Sequence, residues 1–375
     1  MRRVSITDLP LHYGRAPRWL FKRMVKLANC IVTIIIDEFG VKEFLTRISD
    51  PFWFQGLGCV LGYDWHSSGL TTVLTGALKE AINPEEHGIA VCGGKGRASR
   101  KTPREIVEFG ELLGLSTSKI ESLTYTSRIA AKVDNSAIQS GHPLYHHVTF
   151  ISEDGEWAIV QQGMNVQDRT ARRYHWLSEK CSSYIVEPHS AIVGDSRRNV
   201  VLDMTSRESE GCRKAIVDLA KEEPRRIYRM LKSIRPKYQS SLDRWIGDSP
   251  KDKEAIEYLK LPSRVNWRVL RRTYEAQIKS FEEFLSIEGV GPATVRGLAI
   301  VSDLMFGERP SWRDPIKYTF AFGGKDGVPF PVNRRAMDES IAFLREVIES
   351  SKMGSKERLS MLKRLSRLTS GFRVK

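Results

Sequence analysis

The stretch Leu144-Tyr145-His146-His147-Val148-Thr149-Phe150-Ile151-Ser152-Glu153-Asp154-Gly155-Glu156-Trp157-Ala158-Ile159-Val160-Gln161 reads as a β-hairpin. Leu144 to Ser152 and Glu156 to Gln161 alternate apolar side chains, and Asp154-Gly155 is a turn pair that tolerates positive φ. Upstream, Gly88 to Cys92 reads as a buried strand running into Gly93-Gly94-Lys95-Gly96-Arg97. Thr102-Pro103-Arg104-Glu105 then starts a helix, with Thr102 as N-cap, Pro103 in the first turn and Glu105 closing a capping box. Downstream, strands are expected at Ser183 to Val186 and Asn199 to Asp203. Residues 83–205 are therefore expected to form an α/β domain, a mixed sheet carrying this hairpin.

Outward from that domain the pattern turns helical. In residues 1–82, Ala16 to Leu27 and Val41 to Ile48 carry apolar residues at helical spacing, and Leu70 to Ala81 reads as a further helix. Phe52-Trp53-Phe54 and the loop Gly62 to Gly69 lie between them. Residues 206–375 read as a helical, basic C-terminal region.

The chain has 375 residues, 59 Lys and Arg against 45 Asp and Glu, a net charge of +14 and 41% hydrophobic residues. This is the composition of a globular protein rather than a disordered one. The charge points to a polyanionic partner, nucleic acid before an anionic membrane. Cys30, Cys59, Cys92, Cys181 and Cys212 are odd in number and form no CxxC, which argues against a disulfide framework or a cysteine zinc site and suits the cytoplasm. The N-terminus has no secretory signal pattern, and the apolar run Ile31 to Ile36 is too short to span a bilayer. The expected location is cytoplasmic, with the nucleoid.

A second decisive stretch is Phe284-Leu285-Ser286-Ile287-Glu288-Gly289-Val290-Gly291-Pro292-Ala293-Thr294-Val295-Arg296. One helix should end near Ser286 and another begin near Pro292 and run to Phe306. The Gly-Val-Gly turn aims backbone amides outward beside a helix N-terminus, a site for a phosphate oxygen. Over about 25 residues this resembles the helix-hairpin-helix family. The resemblance implies sequence-independent grip on a DNA backbone, with Gly289, Gly291, Pro292, Thr294 and Arg296 as contacts. The position of the lysine used by lyase-type glycosylases of that family holds Ala293, and Asp303 and Asp314 sit in a poorly matching context, so that activity is not expected.

Three basic segments extend the anion-binding face: Lys95, Arg97, Arg100, Lys101 and Arg104 in a glycine-rich loop that is not a P-loop; Arg225, Arg226, Arg229, Lys232, Arg235 and Lys237; and Lys352 to Lys375, where eight basic residues face only Glu357. Binding should be salt-sensitive.

The densest polar group is His142, Tyr145, His146, His147, Asp154, Gln161, Gln162 and Asn165. Its order resembles, weakly, the phospholipase D-like nucleases and phosphodiesterases, over residues 77 to 190. That resemblance implies His147 as nucleophile, Asp154 as the orienting acid and Asn165 beyond the next strand. Thr149 stands where that family has lysine, with Lys132 or a loop arginine as substitute, and Asn165 falls one residue late. Only one such motif is present, so a paired site would require a homodimer. A competing metal reading gathers His142, His146 and Asp154 with Asp134 or His189, for Mg²⁺ or Mn²⁺. Tyr174-His175-Trp176, Glu187-Pro188-His189, Arg172 and Arg173 are placed by order near the same cleft. Asp64-Trp65-His66-Ser67-Ser68 is a further polar loop, and Gly323 to Gly327 reads as a structural turn.

Across nearly its whole length the chain resembles an uncharacterised, mostly archaeal domain-of-unknown-function family. The segments Asp50 to Gln55, Gly62 to Gly69, Gly93 to Thr102, Gln161 to Asn165 and Ala171 to Leu177 carry the likeness. It implies no activity. The residues lead to a DNA-binding protein of repair or recombination, a nuclease or phosphodiesterase holding the backbone through the hairpin. The rivals are a non-catalytic repair-accessory protein and an RNA-processing protein.

Overall fold

A computed structural model describes residues 17–63, 68–194, 197–233, 266–316, 334–350 and 354–370. The loop Asp64 to Ser67, Arg235, Lys237 and the turn Gly323 to Gly327 lie outside the described residues. In chain order the helices are α1 (Arg18–Phe39), α2 (Val41–Ser49), α3 (Pro51–Val60), α4 (Gly69–Ala81), α5 (Pro84–His87), α6 (Thr102–Leu112), α7 (Thr117–Lys132), α8 (Glu210–Ala220), α9 (224–233), α10 (Trp267–Glu275), α11 (Phe281–Ser286), α12 (Pro292–Phe306), α13 (Arg334–Ser350) and α14 (Ser355–Ser370). The strands are β1 (Ile89–Lys95), β2 (Ile138–Gln139), β3 (Leu144–Ser152), β4 (Trp157–Asn165), β5 (Thr170–Leu177), β6 (Ala191–Gly194) and β7 (Leu202–Asp203).

The central sheet has the order β1-β3-β4-β5-β6, and every pair in it is antiparallel. The expected mixed sheet is corrected here. The chain leaves β1 through α6 and α7 and re-enters beside it at the same end, running back antiparallel as β3, and the remaining strands follow as a meander. The hairpin β3–β4 stands as read, with the turn at Asp154-Gly155.

Helical layers cover both faces of this sheet. Strand residues alternate between them, because successive side chains of a strand point to opposite faces. Val91, Val148, Phe150, Ala158 and Val160 pack with α1–α4 and with Phe343, Leu344, Val347 and Ile348 of α13. Ala90, Cys92, Ile151, Ile159, Tyr174 and Trp176 pack with α6, α7, α8 and α10–α12. The two cores cut across the boundaries drawn at 82 and 205. The sheet is shared between them, and the last helices return to the first ones: Arg364 of α14 donates to the Val60 carbonyl at 2.9 Å.

Three local readings need correction. Thr102 does not cap α6 but is its first residue, following Lys101; its hydroxyl donates to the Ser99 carbonyl at 2.8 Å, and the Glu105 carboxylate accepts from the Gly93 amide at 2.6 Å instead of closing a capping box. Ser183 to Val186 is a turn, not a strand: the Ser183 hydroxyl accepts from the amides of Ile185 and Val186, both at 3.1 Å. Asn199 to Asp203 contributes only Leu202-Asp203, paired with Ile138-Gln139. Two further elements escape a reading by periodicity alone. Pro51 opens α3, and the Asp50 carboxylate caps it by accepting from Phe52 and Trp53, each at 2.8 Å. β5 hides behind Arg172, Arg173 and His175, which look like surface residues and are buried.

Gly93 fixes the approach of β1 to β3. Its φ is +104°, and a Cβ there would collide with the His147 carbonyl oxygen. Both penalties fall on a rigid strand pair. Gly93→Ala should therefore destabilise the fold by about 2–4 kcal/mol, read as a lower urea midpoint at unchanged slope.

Candidate functional site

A cavity of about 700 Å³ opens between α7, the loop after β1, the edge of β3 and the turn between α11 and α12. Arg100 and Thr102 line one side, Arg128 and Lys132 another, and Glu288 to Gly291 a third, with Tyr145, His146 and His147 at its strand wall. Residues as distant in sequence as Ser99 and Gly291 thus line one opening.

The turn Ile287 to Gly291 lies between α11 and α12, at the bounds read from sequence. Gly289 adopts φ +90°, and a Cβ there would lie 2.7 Å from Val269. The amides of Gly289, Gly291 and Ala293 donate to no group among the described residues. Lys132 pins the turn from beneath by donating to the Val290 carbonyl at 2.6 Å, and burial lowers its pKa. Arg272 grips it from α10 through the Glu288 carboxylate at 3.0 Å. Lys132 is therefore engaged with the turn. Arg296 leans over the Trp312 ring at 5.1 Å, and Thr294 is buried. Pro292 is exposed at the start of α12.

Lys95, Arg97, Arg100 and Lys101 are all exposed. The pocket takes up Arg100 of the four, and Lys95 sits 5.8 Å above the Tyr145 ring. Beyond the turn, Arg268, Arg271 and Arg272 of α10 and Arg225 of α9 flank Tyr228 and Trp267, an exposed aromatic pair with ring centroids 4.6 Å apart.

The four histidines and acids singled out in sequence do not converge. His146 and His147 point to opposite faces of β3. His146 meets Thr75 of α4 at 3.0 Å, while His147 faces α7. Asp154 is exposed at the hairpin turn, and five residues of strand, about 17 Å, separate His147 from the end of β3 before it. It cannot orient His147 as the phospholipase D-like reading requires. Asn165 caps its own turn, accepting from Gln167 and Asp168 at 3.0 and 3.1 Å. His142 is held between Ser140 and Thr170, at 3.0 Å each. Hence His142, His146 and Asp154 form no common ligand set, and among the described residues no group of three or more His, Cys, Asp or Glu is placed to hold a metal ion.

His147 is instead oriented from behind. Its Nδ1 lies 2.8 Å from Gln161 Oε1, and Gln161 Nε2 donates to Asp134 at 2.5 Å. Asp134, in a one-turn π-helix (Val133–Ala137) that ends α7, also accepts from Trp176 at 2.9 Å and meets His189 at 2.5 Å. Burial pushes the Asp134 carboxyl up, and His189 works against that push. Trp176 can only donate, so the Asp134 oxygen it shares with Gln161 is an acceptor. Gln161 must then give its NH₂ to Asp134 and its carbonyl to His147. This requires a proton on His147 Nδ1 and leaves Nε2 with a lone pair. Nε2 faces the cavity side, 2.7 Å from Ser127 Oγ and 3.2 Å from Thr149 Oγ1.

On the far face, Arg173 is fully buried. It donates to His175 at 2.8 Å, to Gln55 at 3.2 Å and to Thr71 at 3.4 Å, and covers the Phe54 ring. None of these partners is a carboxylate, and burial lowers its pKa to about 9. Arg172 pairs with Asp314 at 2.7 Å. Arg172, Arg173 and His175 are structural ties between layers rather than cleft residues.

A family model described as Protein of unknown function (DUF763) matches residues 5–332, and the chain belongs to that family. No curated protein and no solved structure matches it. No helix among the described residues is long and apolar enough to cross a membrane.

Burial lowers the pKa of His142 and His146 to about 3 and of His147 to about 4. Nearby positive charge assists, from Arg172 and Arg198 at His142 and from Lys95 at His146. An unfolded histidine titrates near 6.5, so below that pH the unfolded chain binds protons that the folded chain refuses. Stability is then complete above about pH 6.5 and falls progressively towards pH 4. Thermal unfolding midpoints should be flat from pH 7 to 8 and drop between pH 6.5 and 4, with His146→Gln shallower. A midpoint constant down to pH 5 would contradict this.

Proposed function

We propose that this DUF763 protein binds DNA by its phosphate backbone, and that the cavity between the glycine turn and the start of β3 holds a phosphodiester. The observation that carries this reading is the meeting of two anion-binding devices at one opening. The amides of Gly289 and Gly291 stand beside the N-terminus of α12, and Arg100 and Arg128 stand across from them. Backbone amides at a helix start and arginine guanidinium groups both suit phosphate oxygens. In this reading the segment is a helix-hairpin-helix. The exposed Tyr228–Trp267 pair with its arginines extends the track beyond the turn, where a base could stack.

The chemistry expected of the site is phosphodiester cleavage, as a nuclease. The pairing of His147 with Asp154 does not support it. What supports it is His147, in the cavity wall, held in one tautomer by Gln161 and Asp134. A purely binding role is favoured by one feature: His147 is only 6% exposed.

Gly291 offers a direct test. Its φ is −146°, open to any residue, and the nearest atom to an added Cβ is 4.0 Å away. Gly291→Glu places a carboxylate in the phosphate site without backbone strain. Duplex affinity should fall by at least about tenfold, a loss of about 1.4 kcal/mol, at an unchanged unfolding midpoint. Replacing Arg100 and Arg128 by Ala should also flatten the salt dependence, by about 0.9 in log–log slope for each phosphate no longer neutralised. Unchanged affinity in all three variants would remove the cavity from the interface. Competition by RNA of the same sequence would move the reading to RNA.

A further inference from the structure

From the wiring of His147 we infer that Ser127 and His147 form a nucleophile–base pair that attacks the phosphodiester held in the cavity. The inference rests on the DNA-binding reading for its substrate, and on side-chain geometry alone for its chemistry.

Ser127 comes from the last turns of α7 and His147 from β3, and both line the cavity. The Ser127 hydroxyl lies 2.7 Å from His147 Nε2. That nitrogen carries the lone pair, because Gln161 occupies Nδ1–H at 2.8 Å and is itself fixed by Asp134 at 2.5 Å. Ser127 therefore donates its proton to His147. The arrangement has the three parts that hydroxyl activation needs: a nucleophile, a base within hydrogen-bond reach and a third group that sets the base's tautomer. An amide takes the third position here, backed by a buried carboxylate. Arg128 is exposed and lines the same cavity, so the cavity holds a cation that can meet the charge of a phosphodiester bound there.

The step balances without a co-reactant. A Ser127 Oγ–P bond forms and the P–O bond to one strand end breaks. The hydroxyl proton passes to His147 Nε2 and from there to the departing alkoxide. The product is a phosphoseryl strand and a free strand hydroxyl. Attack by water or by a strand hydroxyl then releases the phosphate from Ser127, with His147 accepting the incoming proton and returning it to Ser127. Burial keeps His147 neutral at neutral pH, the form that can accept a proton.

The test uses the full chain and diisopropyl fluorophosphate, a small phosphoryl reagent that reports activated serines independently of any DNA. Mass spectrometry of the digested protein should find the label on Ser127. Ser127→Ala should abolish it, and His147→Gln should slow it at least about 100-fold. If His147→Gln does not fold, the wild-type pH profile decides. A histidine-activated serine labels at a plateau rate across neutral pH, whereas an unassisted hydroxyl speeds up tenfold per pH unit. No label on Ser127, or a rate climbing with hydroxide, overturns the pair. Duplex binding is measured in parallel. Binding without labelling rejects this inference and leaves the binding function standing. Labelling without binding keeps the nucleophile and overturns its substrate. With both, denaturing gels of end-labelled nicked duplex should show a protein–DNA adduct that Ser127→Ala lacks, and cleavage without an adduct overturns the covalent step.

Discussion

The buried Asp134 carboxylate organises this molecule. It is fully enclosed, takes bonds from Gln161 on β4 and Trp176 on β5, and meets His189 before β6. A buried charge is costly unless several donors meet it. Each donor here comes from a different element, so satisfying one carboxylate fixes the two central strands and the loop beyond them against the end of α7. The π-turn at Val133–Ala137 is where α7 yields to bring Asp134 inward. Such turns inside helices recur at functional sites.

The same carboxylate reaches the cavity through two bonds. Gln161 relays its orientation to His147, and His147 meets Ser127 on α7. The circuit starts in the π-helix that ends α7, runs over β4 and β3 on one face of the sheet and returns to α7. Lys132, the last residue of α7, ties that helix to the glycine turn through the Val290 carbonyl. The glycine turn and the polar wall are thus held at a fixed separation by one helix. A site built on rigid elements keeps its geometry better than one built on loops.

The antiparallel sheet, covered on both faces, also explains why its polar residues mislead. His146, Gln162, Arg173 and His175 face α1–α4, while His147, Gln161, Arg172 and Trp176 face α7 and its neighbours. Nearly all are buried, and each finds a partner across a layer. In an exposed sheet such residues would mark the solvent side. Here they mark seams between layers, so β5 looks like surface from its composition and is among the most buried strands.

What the sequence determined by itself is local. The hairpin at Leu144 to Gln161, the bounds of α11 and α12 and the glycine turn between them follow from alternation and backbone freedom, which act within a few residues. Gly93 and Gly289 were visible as turn residues, though not the atoms that exclude a side chain there. Tertiary structure alone decided which polar residues meet. Spacing placed Asp154 with His147, but an extended strand carries the two ends apart, and the partners of His147 come from α7 and β4. Ser127 had no signal: one serine in an amphipathic helix gains meaning only when a strand 20 residues later presents a histidine to it. The return of α13 and α14 to the first helices was equally hidden. Hydrophobic burial is non-directional, so an apolar helix face shows that it will be covered and not by what.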